Sequence, residues 1–138
     1  MNLTIDIGNT RTKIALFNGE TFVREEKFEN TDAEHLLNVV KEKEAEGLAF
    51  CSVAAENPLL VEALKQLPYP VLEVKGTTPA PVTVAYRTPE TLGADRLAAV
   101  VGAVTLKPQT DLLVVDAGTC ITYDFVDAAG NYLGGNIS

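Results

Sequence analysis

"LTIDIGNTRTKIALF", residues Leu3 to Phe17, sets an apolar, strand-like run on each side of Asp6-Ile7-Gly8-Asn9-Thr10. Leu3 to Ile7 and Thr12 to Phe17 read as strands, the second alternating Thr12, Ile14 and Leu16 with Lys13, Ala15 and Phe17. The link between them is either a plain hairpin turn or a grip on phosphate. A glycine two residues beyond an aspartate lets the backbone turn tightly and bring amide N–H groups close to an anion. Asn9 and Thr10 add side-chain donors, and Lys13 adds a positive charge. Asp6 repels phosphate, but it can hold a hydrated Mg²⁺ that bridges to phosphate oxygens. Alone the pattern is weak, because an Asp at a strand end often caps a turn. For Lys13 the competing reading is an exposed strand charge.

Outward from this stretch, Asn18-Gly19 is a two-residue hairpin signal into a third strand, Thr21 to Phe28, so three antiparallel strands open the fold. Thr31-Asp32-Ala33-Glu34 is a capping box for a helix carrying Leu36, Leu37, Val39 and Val40, stopped at Gly47. Leu48 to Val53 has strand length. Asn57-Pro58 caps a second helix whose buried face is Leu60, Val61, Leu64 and Leu67. Val71 to Val74 is a short strand, and Thr77 to Pro89 a Pro- and Thr-rich connection. Leu97 to Val104 is a small apolar helix with Gly93-Ala94-Asp95-Arg96 in its first turn. Strands at Leu112 to Asp116 and Ile121 to Val126 follow, then a turn at Ala129-Gly130-Asn131. This order is α/β: a mixed sheet with three antiparallel strands first and flanking helices.

The pattern then restarts. Asp116-Ala117-Gly118-Thr119-Cys120-Ile121-Thr122 aligns with Asp6-Ile7-Gly8-Asn9-Thr10-Arg11-Thr12 at a constant offset of 110, Asp on Asp, Gly on Gly and Thr on Thr. A long-period repeat of this kind points to duplicated architecture. Two such loops facing each other across a cleft would clamp the phosphates of a nucleotide. The expected organisation is one lobe over residues 1–109 and the start of a second, incomplete lobe over residues 110–138. A full second copy would end near residue 220, on the order of 110 residues beyond the restart. "YLGGNIS" at the end leads onward, so the chain is expected to be the N-terminal portion of a longer molecule.

A formal net charge of −8 leaves no long-range positive field to collect nucleic acid or anionic lipid, so any phosphate contact is local. The longest apolar stretch, around Leu97 to Val104, is too short to cross a bilayer, and no basic segment precedes a long apolar run at the N-terminus. These features favour a cytoplasmic protein with neither nucleic-acid nor membrane partners. Cys51 and Cys120 form no metal-ligand pattern and are expected as reduced core or near-core thiols. His35, the single histidine, sits in a charged helix and is expected at the surface, which argues against triad chemistry.

Paired D-x-G loops are the signature of the actin-like ATPase superfamily, whose fold is ribonuclease H-like and whose members include sugar kinases, acetate kinase and the Hsp70 chaperones. No G-x-x-x-x-G-K-[ST] loop and no protein-kinase Gly-rich loop is present. "DIGNTRTK", "YRTPETLGADRLAAVVGA" and "VVDAGTCITYDF" together closely resemble the type III pantothenate kinases, which phosphorylate pantothenate in the first committed step of coenzyme A synthesis. The resemblance runs from residue 2 to the last residue. It implies that Asp6, Ile7, Gly8, Asn9, Thr10, Arg11, Thr12 and Lys13 form the ATP phosphate loop, with Thr119 contacting ATP. It implies that Tyr86, Gly93, Ala94, Asp95 and Arg96 line the pantothenate site, Asp95 being the proton acceptor. Asp116 is implied to help bind a monovalent cation, potassium or ammonium. The full-length family member is expected to be a homodimer using ATP and Mg²⁺, and these 138 residues alone are expected to be inactive. Cys120 stands where many members carry alanine.

On the residues themselves, Asp95 lies in a first helical turn, where the helix dipole suits an acidic side chain. Arg96 either binds the carboxylate of pantothenate or stabilises the phosphates. The plainer alternatives are a first-turn charge and a solvent-facing cation for Asp95 and Arg96, and strand packing for Tyr86 after Val82 and Val84. Two other functions stay open: a non-catalytic nucleotide-binding factor in transcription on the same fold, and another small-molecule kinase of the superfamily.

Overall fold

The computed structural model describes residues 1–29, 33–52 and 58–138. By packing, the chain divides into two compact units, Met1–Val74 and Lys75–Ser138.

In the first unit, β1 (Asn2–Ile7), β2 (Arg11–Asn18) and β3 (Thr21–Glu29) form the antiparallel meander expected from the sequence. Helix α1 (Ala33–Glu42), β4 (Gly47–Ser52), α2 (Pro58–Lys65) and β5 (Val71–Glu73) complete a sheet of order β3-β2-β1-β4-β5, in which β4 and β5 run parallel to β1. Alternation decides which side is buried: Leu3, Ile5 and Ile7 of β1 and Ile14 and Leu16 of β2 point into one core with Leu48 and Phe50 of β4. Leu36 and Val40 of α1 and Leu60 and Leu64 of α2, spaced one helical turn apart, cover that face. Burying each such side chain stabilises the unit by about 1.5–3 kcal/mol. The β2–β3 loop is Gly19-Glu20, one residue beyond the expected Asn18-Gly19, because Gly19 takes the left-handed φ of +58° and Asn18 still pairs with Thr21. Thr31 and Asp32 of the capping box, Val53 at the expected strand end and the Asn57 cap lie outside the described residues.

In the second unit, β6 (Thr83–Val84), α3 (Ala94–Leu106), β7 (Leu112–Ala117), β8 (Ile121–Val126) and β9 (Asn131–Ile137) follow, with the sheet ordered β6-β9-β8-β7. Strands β7, β8 and β9 repeat the antiparallel meander, and β6 pairs parallel with β9. Leu92, Leu97 and Val100 pack with Val126 and Tyr132 into a separate core, which Val82, Val84, Leu112 and Val114 flank. Helix α3 thus packs on β7 and β8. Packing divides the chain after Val74, and the segment carrying α3 is bound to the strands that follow it.

β9 was not expected, and β6 only through the plainer strand-packing reading of Tyr86 after Val82 and Val84. Gly134 and Gly135 conceal a strand, and Gly135 is needed there because a side chain would overlap the Tyr123 carbonyl of β8. Cys51 is buried as expected, whereas Cys120 is exposed: it lies in the β7–β8 turn, outside either core.

Candidate functional site: a phosphate-type loop and an acceptor-type helix

In the first unit, β1 ends at Ile7 and the chain reverses through Gly8-Asn9-Thr10. The Gly8 amide donates to the Arg11 carbonyl at 2.9 Å, closing a tight turn that leaves Asn9 and Thr10 exposed. Asp6 pairs across the strands with Lys13, whose Nζ stands 3.9 Å from Asp6 Oδ2. On the other side of β1, Asp6 pairs with Cys51 of β4, and the Cys51 thiol donates to Asp6 Oδ1 at 3.6 Å. Arg11 donates from Nε to Glu29 Oε1 at 3.2 Å. Thr12 is buried with the core residues of β2. Of the expected loop residues, then, Gly8 to Thr10 form the exposed turn and Lys13 and Asp6 form a loose, half-exposed pair, while Ile7 and Thr12 anchor the hairpin to the core.

The second D-x-G loop is not a copy of the first. Ile7 pairs with Thr12 across four intervening residues, but Ala117 pairs with Ile121 across three, the Gly118 amide donating to the Cys120 carbonyl at 3.0 Å. One residue fewer in the turn shifts the following strand to the other face. Asp116 therefore faces Thr122, while Asp6 faces Lys13. The first loop has a cation beside its aspartate and the second a hydroxyl. Asp116 and Thr119 are both exposed.

Also in the second unit, Gly93 is the N-cap of α3 and Asp95 stands in its first turn. A side chain at Gly93 would place its Cβ 2.5 Å from Asp95 Oδ1, so the missing side chain is what lets the carboxylate fold back over the cap. Ala94 is buried beneath it. Arg96 is not the solvent-facing cation allowed by the plainer reading: it is 7% exposed and bound to Asp124, itself 1% exposed. Nε donates to Asp124 Oδ1 and Oδ2 at 3.1 and 3.2 Å, and Nη2 donates to Oδ1 at 2.5 Å. The Tyr132 hydroxyl donates to the same Oδ1 at 2.5 Å. Tyr86 brings its ring to 5.9 Å from Arg96 Cζ.

The hydrogen bond to Asp124 raises the Arg96 pKa, so the guanidinium is charged at every accessible pH. Burial, reinforced by the bond to Asp124, raises the pKa of Tyr132 and keeps it a neutral donor. Sequence reading missed Asp124 and Tyr132. The signal was present: Asp124 shares the inward face of β8 with Val126, and an acid on a core-facing position needs a partner.

The mixed sheets and their repeated antiparallel opening are those of the actin-like ATPase fold. A Baf family transcriptional activator from Campylobacter jejuni matches 99% of this chain over 53% of its own, with a TM-score of 0.58 at 24% identity. The activator of the 2-hydroxyisocaproyl-CoA dehydratase from Clostridium difficile, solved with bound ADPNP, matches 99% of this chain over 45% of its own, with a TM-score of 0.53 at 14% identity. At these identities the likeness shows the fold alone. Sequence goes further, since the family model for type III pantothenate kinase matches residues 2–138. The chain belongs to the type III pantothenate kinase family. Relatives named type III pantothenate kinase are 46% identical in Phocaeicola vulgatus and 47% in Bacteroides fragilis, in each case over 100% of this chain and 57% of the relative. One in Flavobacterium johnsoniae is 40% identical over the same shares. The chain thus spans 57% of the length of these curated relatives.

Proposed function

We propose that the full-length protein transfers the γ-phosphoryl group of ATP to the primary hydroxyl of pantothenate, giving 4′-phosphopantothenate and ADP for coenzyme A synthesis. Asp95 is the observation that carries the reading: an acidic side chain at the N-terminus of a helix, given room by Gly93, inside a sequence that belongs to this family from end to end. In the transfer, the hydroxyl oxygen bonds to phosphorus as the bond to the ADP oxygen breaks, and Asp95 accepts the hydroxyl proton. Gly8 to Lys13 bind the ATP phosphates through amides, the Asn9 and Thr10 side chains and the Lys13 ammonium, and Thr119 contacts ATP. Tyr86, Gly93, Ala94 and Arg96 hold pantothenate.

The donor sets fit the cations this chemistry uses. Among the described residues no group of three or more His, Cys, Asp and Glu side chains could form a cage. Mg²⁺ needs none, since it is commonly held by one or two carboxylates plus substrate phosphates, and Asp6 suits that role. Asp116, exposed at the end of β7, is the candidate ligand of a monovalent cation. A bound cation offsets charge on the phosphates. The full-length protein is a homodimer in this reading and works in the cytoplasm. Among the described residues no helix is long and apolar enough to cross a membrane.

The test is pantothenate-dependent ADP release by the full-length protein, with Asp95→Asn. The variant is expected to fold like the parent and lose about 100-fold or more in kcat, the usual range for removal of a general base. Full activity in the variant would remove Asp95 from the role. A substrate panel in which a sugar or acetate replaces pantothenate as acceptor would overturn the substrate.

A further inference from the structure

Arg96 has an unusual setting for a residue assigned to a substrate. Its guanidinium is almost fully buried, and one edge, Nε with Nη2, is occupied by Asp124. Asp124 is in turn held by the Tyr132 hydroxyl, on a tyrosine with no exposed surface. The face of the guanidinium is approached by the Tyr86 ring, and that ring lies against Gly134, where an added Cβ would come within 3.0 Å of Tyr86 Cδ2. Among the described residues Nη1 makes no hydrogen bond, yet it is not a buried orphan, for only the Tyr69 hydroxyl is. It therefore reaches solvent.

An ion pair of this kind is often replaceable by apolar residues without loss, so stability alone does not account for it. Here Asp124 and the Tyr86 ring hold the guanidinium and leave one edge open. We propose that Asp124, seconded by Tyr132, is a positioning residue that holds Arg96 with its Nη1 edge presented to the anionic acceptor. This rests on the kinase reading given above. Asp124 touches no reacting atom in this arrangement. It removes the rotational freedom of a long side chain, so that binding the acceptor costs less ordering, and Tyr132 keeps the carboxylate from rotating.

The test is steady-state ADP release by the full-length protein, varying pantothenate at saturating ATP and then ATP at saturating pantothenate. Asp124→Asn is expected to raise the KM for pantothenate about tenfold or more, with the KM for ATP changed by less than about twofold. Tyr132→Phe keeps the ion pair and removes one bond, so the same split is expected at about threefold. A parent with no pantothenate-dependent ADP release overturns the reading beneath the proposal and the proposal with it. An active parent whose two variants lose only thermal stability, with the pantothenate KM unchanged, overturns the positioning role and leaves the kinase reading standing. Where Asp124→Asn yields no folded protein, Tyr132→Phe decides: an unchanged pantothenate KM overturns the proposal.

Discussion

Two glycines control the geometry around helix α3, and each does so by what it lacks. At Gly93 the obstacle to a side chain is Asp95 Oδ1, the far end of a short, mobile group. Gly93→Ala should therefore move the carboxylate and leave the helix in place. Ala is a poorer N-cap than Gly, so a stability loss of about 1 kcal/mol or less is expected, alongside a fall in kcat of about tenfold or more in the full-length protein. Thermal melts and kcat measured together check this, and an unchanged kcat would mean that the carboxylate's position does not matter. Gly134 combines a φ of +99° with the close Tyr86 ring, so Gly134→Ala faces backbone strain and overlap at once. Its expected cost is about 1–3 kcal/mol, read from the urea-unfolding midpoint.

At the scale of elements, the β8–β9 turn is organised by two carboxylates, Asp111, which accepts from the Ala128 amide at 2.7 Å, and Asp127. Asp127 accepts from the Asn131 side chain at 2.9 Å and from the Asn131 and Ala129 amides at 2.8 and 3.0 Å, while Gly130 takes the left-handed φ of +83°. The Asn131 side chain, followed by these amides, lowers the Asp127 pKa from its ordinary value of 3.8. A lowered folded pKa means that the stabilisation is present above the unfolded value and is lost as pH falls through the folded one. Unfolding followed from about pH 5 down to about pH 2 should show an acid decline that is shallower in Asp127→Asn, which does not titrate. An identical decline would assign the acid sensitivity elsewhere, with Glu26, lowered by Lys43, the next carboxylate to try. This turn was legible in the sequence from Ala129-Gly130-Asn131, as the opening meander was from Asn18-Gly19 and from alternation. What stayed hidden has physical reasons. β6 is two residues long in a Pro-rich segment, and β9 carries two glycines that strand propensity counts against. The Arg96–Asp124 pair joins residues 28 apart, and no local period announces such a pair. The turns at Gly8 and Gly118 and the first-turn place of Asp95 were legible because each is written in consecutive residues.

At the scale of the molecule, the second sheet is unevenly covered. Helix α3 and the Leu92–Tyr132 core occupy one face, while on the other Leu113, Val115, Phe125 and Leu133 are each more than half exposed. Pairing sets Leu113 beside Phe125 across β7 and β8, so these side chains are neighbours and not scattered single residues. A contiguous apolar face of this kind binds hydrophobic probes. The 138-residue chain is expected to enhance the fluorescence of an anilinonaphthalene dye in its folded state, and Phe125→Thr with Leu113→Thr should reduce the signal without changing the melting curve. An unchanged signal would place the dye elsewhere. The same chain spans 57% of its relatives' length. With every expected phosphate-loop and acceptor residue present, the purified 138-residue chain should still release no ADP above background on adding pantothenate, under conditions in which the full-length protein turns over. Equal turnover by the two would show that residues 1–138 contain the complete catalytic apparatus, and that the remaining length serves something other than catalysis.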